Sequence, residues 1–327
     1  MLLSFIVTTY NLDAADIRRC LGSLCRQGLS HDDYEVIVAD DESDVSPEPV
    51  VSEFADRMNV RFLRLPHGRQ GAARNRALEV ADGEYIQIVD GDDYLFADTG
   101  KWCLDTLRDF GADAVIYGFV SASGTLPVQR PERSTTLNVF TGKEYMSRHN
   151  LFGSCCTMCF RRCLLHPEGS APLRFAENTY IEDEDFVARL VWQTPRVAVT
   201  DFKGYVYVQR PHSTTRQHDA AHTDELFEAY FAALDRLMTF THSEPEPHDG
   251  LDRKLRYLSI DILRHALRQP SWQERYATCA DALRRRALFP LPRASYEAKY
   301  TLFRLLSPRP LGQKLLHFIE KPSIFTI

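Results

Sequence analysis

The chain has 327 residues, of which 44% are hydrophobic and 26% are charged. This composition excludes a disordered chain, a collagen-like chain and a small disulfide scaffold, and at roughly 150 residues per domain the length predicts about two domains. The formal net charge of −6 conceals an asymmetry, because residues 251–327 carry 15 Lys or Arg against six Asp or Glu, a net +9, which leaves −15 for the rest.

The first part of the chain alternates short apolar runs with amphipathic stretches. Such alternation predicts an α/β fold with a mainly parallel sheet and right-handed crossovers. The predicted strands are residues 2–9, 34–39, 60–65, 84–89 and 114–120, and the predicted helices lie near 17–24, 47–57, 71–81 and 102–110.

The pattern then becomes less regular and finally helical. A polar segment at 121–136 is followed by a helix at 142–149, an apolar strand rich in cysteine at 154–160, a helix from the acidic cluster 182–185 to about 192, and strands at 196–201 and 205–209. Helices are predicted at 225–238, 251–267 and 272–283. We therefore expect a domain at 1–215 and a helical, basic C-terminal region at 216–327.

Polar side chains gather where the predicted strands end. Ligands of an open parallel sheet bind beyond the carboxyl ends of its strands. Crowded carboxylates have raised pKa values unless a cation joins them, and Mg²⁺ or Mn²⁺ prefers such oxygen ligands. The alternative is a polar turn, since Asp and Gly favour turns. The residues concerned are Thr8, Tyr10, Asp40, Asp41, Asp90, Asp92 and Asp93.

Two further segments could carry chemistry. Residues 68–75 (GRQGAARN) join the third strand to a helix, and their glycines with Arg74 predict an anion site at a helix amino end, or else a tight turn with solvated arginines. The segment is neither a GxGxxG nor a Walker pattern, which disfavours a dinucleotide enzyme and a P-loop ATPase.

The acidic cluster at 182–185 can be sorted by helical geometry. Glu182 and Asp183 fall on the same side as the apolar stripe that begins at Phe186, so they should face inward, whereas Asp185 should form a surface pair with Arg189. An inward carboxylate is a candidate general base; stabilisation of the helix dipole is the simpler alternative. His212, in a loop, is an accessory candidate for contact with a metal or a diphosphate.

Five segments in order resemble the family 2 glycosyltransferases of the GT-A fold, which is Rossmann-like. They are SFIVTTYN at 4–11, YEVIVADDES at 34–43, GAARNR at 71–76, GEYIQIVDGDDY at 83–94 and IEDEDF at 181–186. The resemblance covers about residues 1–215. One departure is Glu42, where the family often has a glycine that can adopt positive φ, so this turn is expected to differ.

The resemblance implies roles for individual residues. Thr8, Tyr10 and Asp41 would hold the nucleotide base with Asp40 beside them, Arg74 would lie near the nucleotide and diphosphate, Asp90 and Asp92 would serve the ribose and the metal, and Asp183 would be the base. Glu182, Asp93 and His212 are accessory candidates.

The implied function is that of a metal-dependent inverting glycosyltransferase of the hexosyltransferase class. It would move a sugar from a nucleotide diphosphate donor, expected to be a UDP-sugar, to a glycan or lipid-linked acceptor in cell-surface polysaccharide synthesis, with Mn²⁺ or Mg²⁺ as cofactor. The alternative is a non-catalytic nucleotide-sugar-binding scaffold of a polysaccharide assembly complex.

The ends of the chain bear on location and partners. No apolar run reaches the roughly 18 residues of a membrane span and the start lacks the signal-peptide pattern, so we expect a cytoplasmic protein with reduced cysteines. The basic tail, with arginines at 284–286 and apolar residues at 289–318, favours a partner helix or peripheral contact with the inner membrane face over nucleic acid. Packing of the tail on the catalytic domain is the alternative.

Overall fold

The computed structural model describes residues 1–124, 126–129, 136–169, 171–210, 220–294 and 296–320. The chain forms two compact units, unit 1 at Met1–Ala229 and unit 2 at Tyr230–Ile327. The boundary predicted near residue 215 falls within 211–219, outside the described residues.

The amino-terminal half of the sheet in unit 1 is parallel, as the alternating pattern predicts. Four strands lie side by side in the order β3-β2-β1-β4. Every residue of β1 and β2 is buried, which explains why both strands read as continuous apolar runs rather than alternating ones. The strands are β1 Leu3–Thr9, β2 Tyr34–Asp40, β3 Val60–Arg64 and β4 Tyr85–Asp90.

The other half of the sheet mixes directions. Strand β8 (Met158–Arg161) runs antiparallel between β4 and β6 (Ala114–Ala122), and β9 (Val197–Val208) pairs parallel with β6. Two short strands, β5 (Tyr94–Leu95) and β7 (Leu137–Phe140), pair antiparallel with β9. The parallel arrangement therefore holds for the first four strands, and the later strands return in both directions.

Two predicted strands differ in detail. The strands expected at 196–201 and 205–209 are one continuous strand, β9, because the residues between them stay extended and Lys203 pairs with Gly118 of β6 within an irregular register. The strand expected at 154–160 opens with a 3₁₀ turn at Cys155–Thr157 before β8 begins.

The helices of unit 1 begin close to the predicted positions. Helix α5 has a complete capping box, in which Thr141 and Glu144 exchange side-chain to backbone hydrogen bonds. In α6 the predicted apolar stripe is buried, with Phe186 stacked on Phe175 at 3.6 Å between ring centroids. The helices are α1 Ala14–Leu24, α2 Glu48–Ser52, α3 Arg69–Glu79, α4 Thr99–Asp109, α5 Gly142–Arg148 and α6 Asp183–Gln193.

The later part of the chain is helical, as predicted, and contains two helices that the periodicity did not reveal. These are α10 and α11, which are short; Pro308 lies between them and Pro310 is the first residue of α11. No helix among the described residues is both long and apolar enough to cross a bilayer. The helices are α7 Ala220–Ser243, which contains the division between the units, α8 Asp249–Leu267, α9 Trp272–Arg285, α10 Ala298–Leu306 and α11 Pro310–Glu320.

Candidate active site

The ends of β1, β2 and β4 meet at one edge of the sheet. The register pairs Thr9 with Asp40 and Thr8 with Asp90, so the strand-end residues chosen from the sequence are neighbours. The backbone N–H of Asp41 donates to the carbonyl of Thr9 at 2.9 Å, which extends this pairing one residue past the strand. Parallel pairing alone thus brings together side chains separated by about eighty residues of sequence.

Asp40 has both carboxylate oxygens engaged inside the protein. One oxygen accepts from the hydroxyls of Thr9 at 3.1 Å and Ser43 at 2.5 Å. The other accepts from the Ser43 backbone N–H and from Arg64, each at 3.1 Å. Asp40 is fully buried, so its carboxylate fixes the turn after β2.

Asp41 holds an aromatic pair at the surface. Its Oδ1 accepts the Gly68 backbone N–H at 2.8 Å, and its Oδ2 lies 2.9 Å from His67 Nδ1. The His67 ring packs against Tyr10 at 4.9 Å between centroids, and Tyr10 is about half exposed at 48%. A buried carboxylate and two rings thus form an open surface of the kind on which a nucleobase can stack. Sequence reasoning missed His67, whose signal is its place directly before the Gly68 loop.

The turn at Glu42 keeps the backbone conformation that a glycine would adopt. Glu42 has φ of 64°, in the left-handed region that disfavours a side chain. Its carboxylate accepts the backbone N–H of His67 at 3.0 Å, which partly offsets this strain. Glu42 thus adopts positive φ without being glycine, and its side chain adds a link to the His67 segment.

Arg74 joins two carboxylates from distant parts of the chain. Its side chain is 2% exposed, with one guanidinium nitrogen 2.7 Å from Glu182 Oε1 and the other 2.9 Å from Asp90 Oδ1. Gln70, which sequence reasoning missed, donates to the same Asp90 oxygen at 2.5 Å and to the Thr8 hydroxyl at 3.3 Å. The start of α3 thus fixes the acid at the end of β4.

Gly71 allows α3 to approach the segment before α6. A side-chain carbon at this position would lie 2.0 Å from the carbonyl oxygen of Ala176, which is much closer than a non-bonded carbon and oxygen can approach. Beside it, the Arg69 guanidinium covers the Tyr180 ring at 3.9 Å and pairs with Glu225. The segment at 68–75 chosen from the sequence therefore does two things: Gly71 lets α3 pack closely against residue 176, and the same helix carries Arg74.

Glu182 and Asp183 differ in what surrounds them. Burial raises the pKa of Glu182 to about 7, against the opposing effect of Arg74. Burial also raises the pKa of Asp183 well above its ordinary value, and the neighbouring charges of Glu182 and Glu184 add to the shift. Asp183 is partly exposed, and among the described residues no group donates a hydrogen bond to its carboxylate. Asp183 is therefore the carboxylate of this pair that is available to a ligand.

Asp185 departs from the prediction. Its ion pair with Arg189 forms at 2.8 Å, but Asp185 has no exposed area, so the expected surface pair has a buried acid. The correction follows from the packing of α6 against residues 174–175, where Phe175 stacks on Phe186 and Arg189 also donates to the carbonyl of Arg174.

Asp92 is partly exposed and pairs with an arginine that sequence reasoning missed. Its carboxylate contacts Arg210, which also lies 3.6 Å from Asp16, and its backbone carbonyl accepts from Arg19 at 2.5 Å. Burial and the adjacent charge of Asp90 raise the pKa of Asp92. A carboxylate beside another acid attracts a cation, and here Asp92 has the guanidinium of Arg210 as its cationic partner.

Asp93 serves the fold. It is 1% exposed and accepts from the Tyr205 hydroxyl at 2.6 Å and from the Val208 backbone N–H at 2.7 Å. Burial, followed by the charges of Asp92 and Asp90, raises its pKa to about 8. Asp93 thus ties the loop after β4 to β9.

The structure bears differently on His212 and on the expected metal site. His212 lies outside the described residues. Within the part of the chain that the structure describes, no group of three or more His, Cys, Asp or Glu side chains is arranged to hold a metal by itself. A metal here would need oxygen ligands from a bound molecule, as Mg²⁺ commonly does with phosphates.

Residues 4–166, which contain the strand ends and Arg74, match a known family model, Glycosyl transferase family 2. The chain belongs to this family. Its fold is the GT-A glycosyltransferase fold, as predicted.

Relatives and solved structures agree with this assignment. The chain is 25% identical over 307 residues to the uncharacterized glycosyltransferase EpsJ of Bacillus subtilis, covering 83% of this chain and 88% of EpsJ. It is 26% identical over 213 residues to TarS of Staphylococcus aureus, a poly(ribitol-phosphate) beta-N-acetylglucosaminyltransferase, covering 64% of this chain but only 36% of TarS.

Two solved structures share the fold. TarS residues 1–349 in complex with UDP-GlcNAc superpose with a TM-score of 0.67 at 19% identity, covering 98% of this chain and 89% of that one. The mannosyltransferase PcManGT from Pyrobaculum calidifontis in complex with GDP-Man and Mn²⁺ gives 0.55 at 16% identity, covering 98% and 88%. At these identities the likeness concerns the fold.

Proposed function

We propose that this chain is an inverting transferase that moves a sugar from a UDP-sugar to a hydroxyl of a glycan or lipid-linked acceptor in cell-surface polysaccharide synthesis. The observation that carries the proposal is Asp183, a partly exposed carboxylate with a raised pKa, tied through Glu182 and Arg74 to Asp90 at the strand-end edge. Family membership supports the reaction class, and the binding of UDP-GlcNAc by TarS supports the donor class.

The nucleotide would bind at the Tyr10 and His67 rings. A nucleobase stacked there places its polar edge over Asp41, whose carboxylate can accept an N–H. The Gly68 N–H and His67 hold Asp41 in a fixed orientation, so little ordering is needed when a base binds. Thr8 and Asp90 are paired at the ends of the neighbouring strands β1 and β4. The ribose would bind beside this pair.

A divalent cation fits beside this nucleotide site. Asp92, with Asp90 nearby, would hold Mn²⁺ or Mg²⁺, and its ion pair with the cationic Arg210 supports this role. When bound, such a cation neutralises charge on a departing diphosphate. Mn²⁺ accompanies GDP-Man in the PcManGT structure, which supports this cofactor class.

Asp183 would act as the general base. A raised pKa makes a carboxylate a stronger proton acceptor, and Asp183 has no hydrogen-bond donor among the described residues to compete for it. In the proposed step an acceptor hydroxyl gives its proton to a carboxylate oxygen of Asp183 while its oxygen bonds to the anomeric carbon. The bond from that carbon to the diphosphate breaks on the opposite side. One such displacement inverts the anomeric configuration.

Release of the nucleoside diphosphate from a panel of nucleotide sugars tests the proposal, because slow transfer to water needs no acceptor. We expect UDP release from at least one UDP-sugar in the presence of Mn²⁺ or Mg²⁺. UDP that binds tightly while no donor in the panel is hydrolysed, with or without candidate glycan acceptors, would instead favour the nucleotide-sugar-binding scaffold.

A further inference from the structure

Exposed apolar side chains are concentrated on α10 and α11 in unit 2. Among the described residues, fourteen large apolar side chains are substantially exposed, and six of them fall within 302–319. A soluble surface usually scatters such residues singly, so a cluster indicates contact with another molecule. We call these six residues the apolar patch: Leu302 (53%), Leu305 (42%), Leu311 (81%), Leu315 (49%), Phe318 (76%) and Ile319 (57%).

Helix α11 has two distinct faces. Leu311, Leu315, Phe318 and Ile319 are spaced at i, i+4, i+7 and i+8, so they form one stripe about 100° wide. The opposite side packs inward through the buried Leu316. Gly312 is also inward, because a side-chain carbon there would lie 2.2 Å from the Leu306 carbonyl oxygen. Internal packing therefore fixes the helix with its apolar stripe outward.

The apolar tail residues that the sequence suggested for membrane contact fall into exposed and buried groups. Leu305, Leu315 and Phe318 are exposed, whereas other members of that set pack inside unit 2. The buried ones are Phe289, Tyr300, Phe303 and Leu316.

The arginines at 284–286 are also partly committed to internal contacts. Arg286 forms an ion pair with Asp235, and Arg284 pairs with Asp281 and covers the Phe289 ring. The surface available for docking is thus α10 and α11 rather than the whole tail.

The charge around the apolar patch is positive. Lys299, Arg309 and Lys314 are exposed. Residues 298–320 contain one acid, Glu320, whose carboxylate accepts hydrogen bonds from Arg264 and Arg268 at 2.7 Å each. Two arginines therefore neutralise the only acid on these helices. The exposed charges on α10, on α11 and between them are basic, and the exposed Glu297 just before α10 lies 3.6 Å from Arg253.

We propose that the apolar patch is a docking surface for an anionic phospholipid bilayer, in which α11 lies in the plane of the interface. Apolar side chains on one face with lysine and arginine beside them are the chemistry that such a surface recognises. A second copy of this chain fits less well, because a symmetric contact through the same face would bring like charges together. Nucleic acid fits less well because the patch is mainly aliphatic and offers one aromatic ring for stacking.

Vesicle co-sedimentation of the full chain tests the proposal. Vesicles with phosphatidylglycerol are compared with pure phosphatidylcholine at low and high salt. The patch variant is Leu311→Ser with Phe318→Ser, and the matched control is Val45→Ser with Val128→Ser, which changes two side chains that are 83% and 91% exposed in unit 1. All four positions are exposed, so we expect unchanged thermal unfolding.

We expect the wild type and the control to bind the anionic vesicles and the patch variant to bind about tenfold or more weakly. Lys299→Gln with Lys314→Gln should weaken binding by about tenfold at low salt and by less at high salt. Equal binding of the patch variant and wild type, or no binding to anionic vesicles at low salt, would overturn the proposal.

Sedimentation velocity without lipid tests self-association, and a dimer that only the patch variant dissociates would assign the surface to a second copy. UDP binding is measured separately, so a failure of the proposed glycosyltransferase function would be distinguished from a failure of the proposed membrane docking.

Discussion

Replacement of Arg74 by methionine tests how strongly the two carboxylates depend on one buried cation. Methionine keeps most of the aliphatic length but removes the hydrogen bonds to Glu182 at 2.7 Å and to Asp90 at 2.9 Å. Removing one partner of a buried ion pair costs about 3–5 kcal/mol, because the remaining charge is left without compensation. Asp90 keeps its hydrogen bond from Gln70, which places the expected loss near the lower end, about 3 kcal/mol.

The loss should depend on pH in a defined direction. The pKa of Glu182 is already raised from 4.5 to about 7 by burial, and Arg74 is the first group acting against that rise. Without Arg74 this pKa rises further, so the folded variant must pay more to ionise Glu182 above pH 7. Each additional pKa unit adds about 1.4 kcal/mol to the loss at high pH, whereas at pH 5 Glu182 is protonated in both folded proteins and this contribution disappears.

Urea unfolding followed by tryptophan fluorescence, to which Trp192 on α6 contributes, measures the effect at pH 5 and pH 8.5. The matched control is Arg76→Met on the same helix, whose arginine is exposed and forms an ion pair with Glu79 at 3.0 Å. We expect the control to change the free energy of unfolding by less than about 0.5 kcal/mol. The reasoning is refuted if Arg74→Met matches this control, or if its loss is as large at pH 5 as at pH 8.5.

Three further predictions concern the proposed reaction. Asp183→Asn should lower transfer or donor hydrolysis by roughly 10² or more with an unchanged Kd for UDP, whereas the neighbouring Glu184→Gln should retain turnover; steady-state kinetics beside calorimetry separates the two effects. Asp92→Asn should weaken UDP binding in Mn²⁺ and remove its metal dependence, and equal UDP affinity of the wild type in EDTA would contradict the metal assignment. His67→Ala should weaken UDP binding by about tenfold through lost stacking, while the exposed His31→Ala should leave it unchanged in the same titration.

The strand ends of the site could be predicted because the information for them is local. Residues 2–9 and 34–39 are uninterrupted apolar runs followed by polar residues, which is the pattern of a strand buried on both faces. Once parallel pairing is accepted, their ends must share an edge. The structure adds the end of β4 to this edge, where Thr8 pairs with Asp90. No contact between distant side chains is needed for this step.

The division of labour among the strand-end acids could not be predicted in the same way. Asp40, Asp41, Asp92 and Asp93 all follow a buried strand, and their sequence contexts look alike. What separates them is the partner that each one meets. Asp93 is held by Tyr205, 112 residues away, and is therefore part of the fold. Asp41 meets a neighbouring loop and faces an exposed aromatic pair instead.

The roles of Glu182 and Asp183 at the start of α6 also could not be predicted from sequence alone. Helical periodicity places Glu182 and Asp183 on one side of α6, and nothing in their spacing distinguishes a structural acid from a reactive one. The distinction comes from Arg74, 108 residues earlier, which bonds Glu182 and leaves Asp183 without a donor among the described residues. Because the same arginine also bonds Asp90, one buried cation fixes the acid beside the base candidate and the acid beside the nucleotide site. A single side chain of α3 thus links the strand-end acid of the proposed nucleotide site to the start of α6, which carries the proposed base.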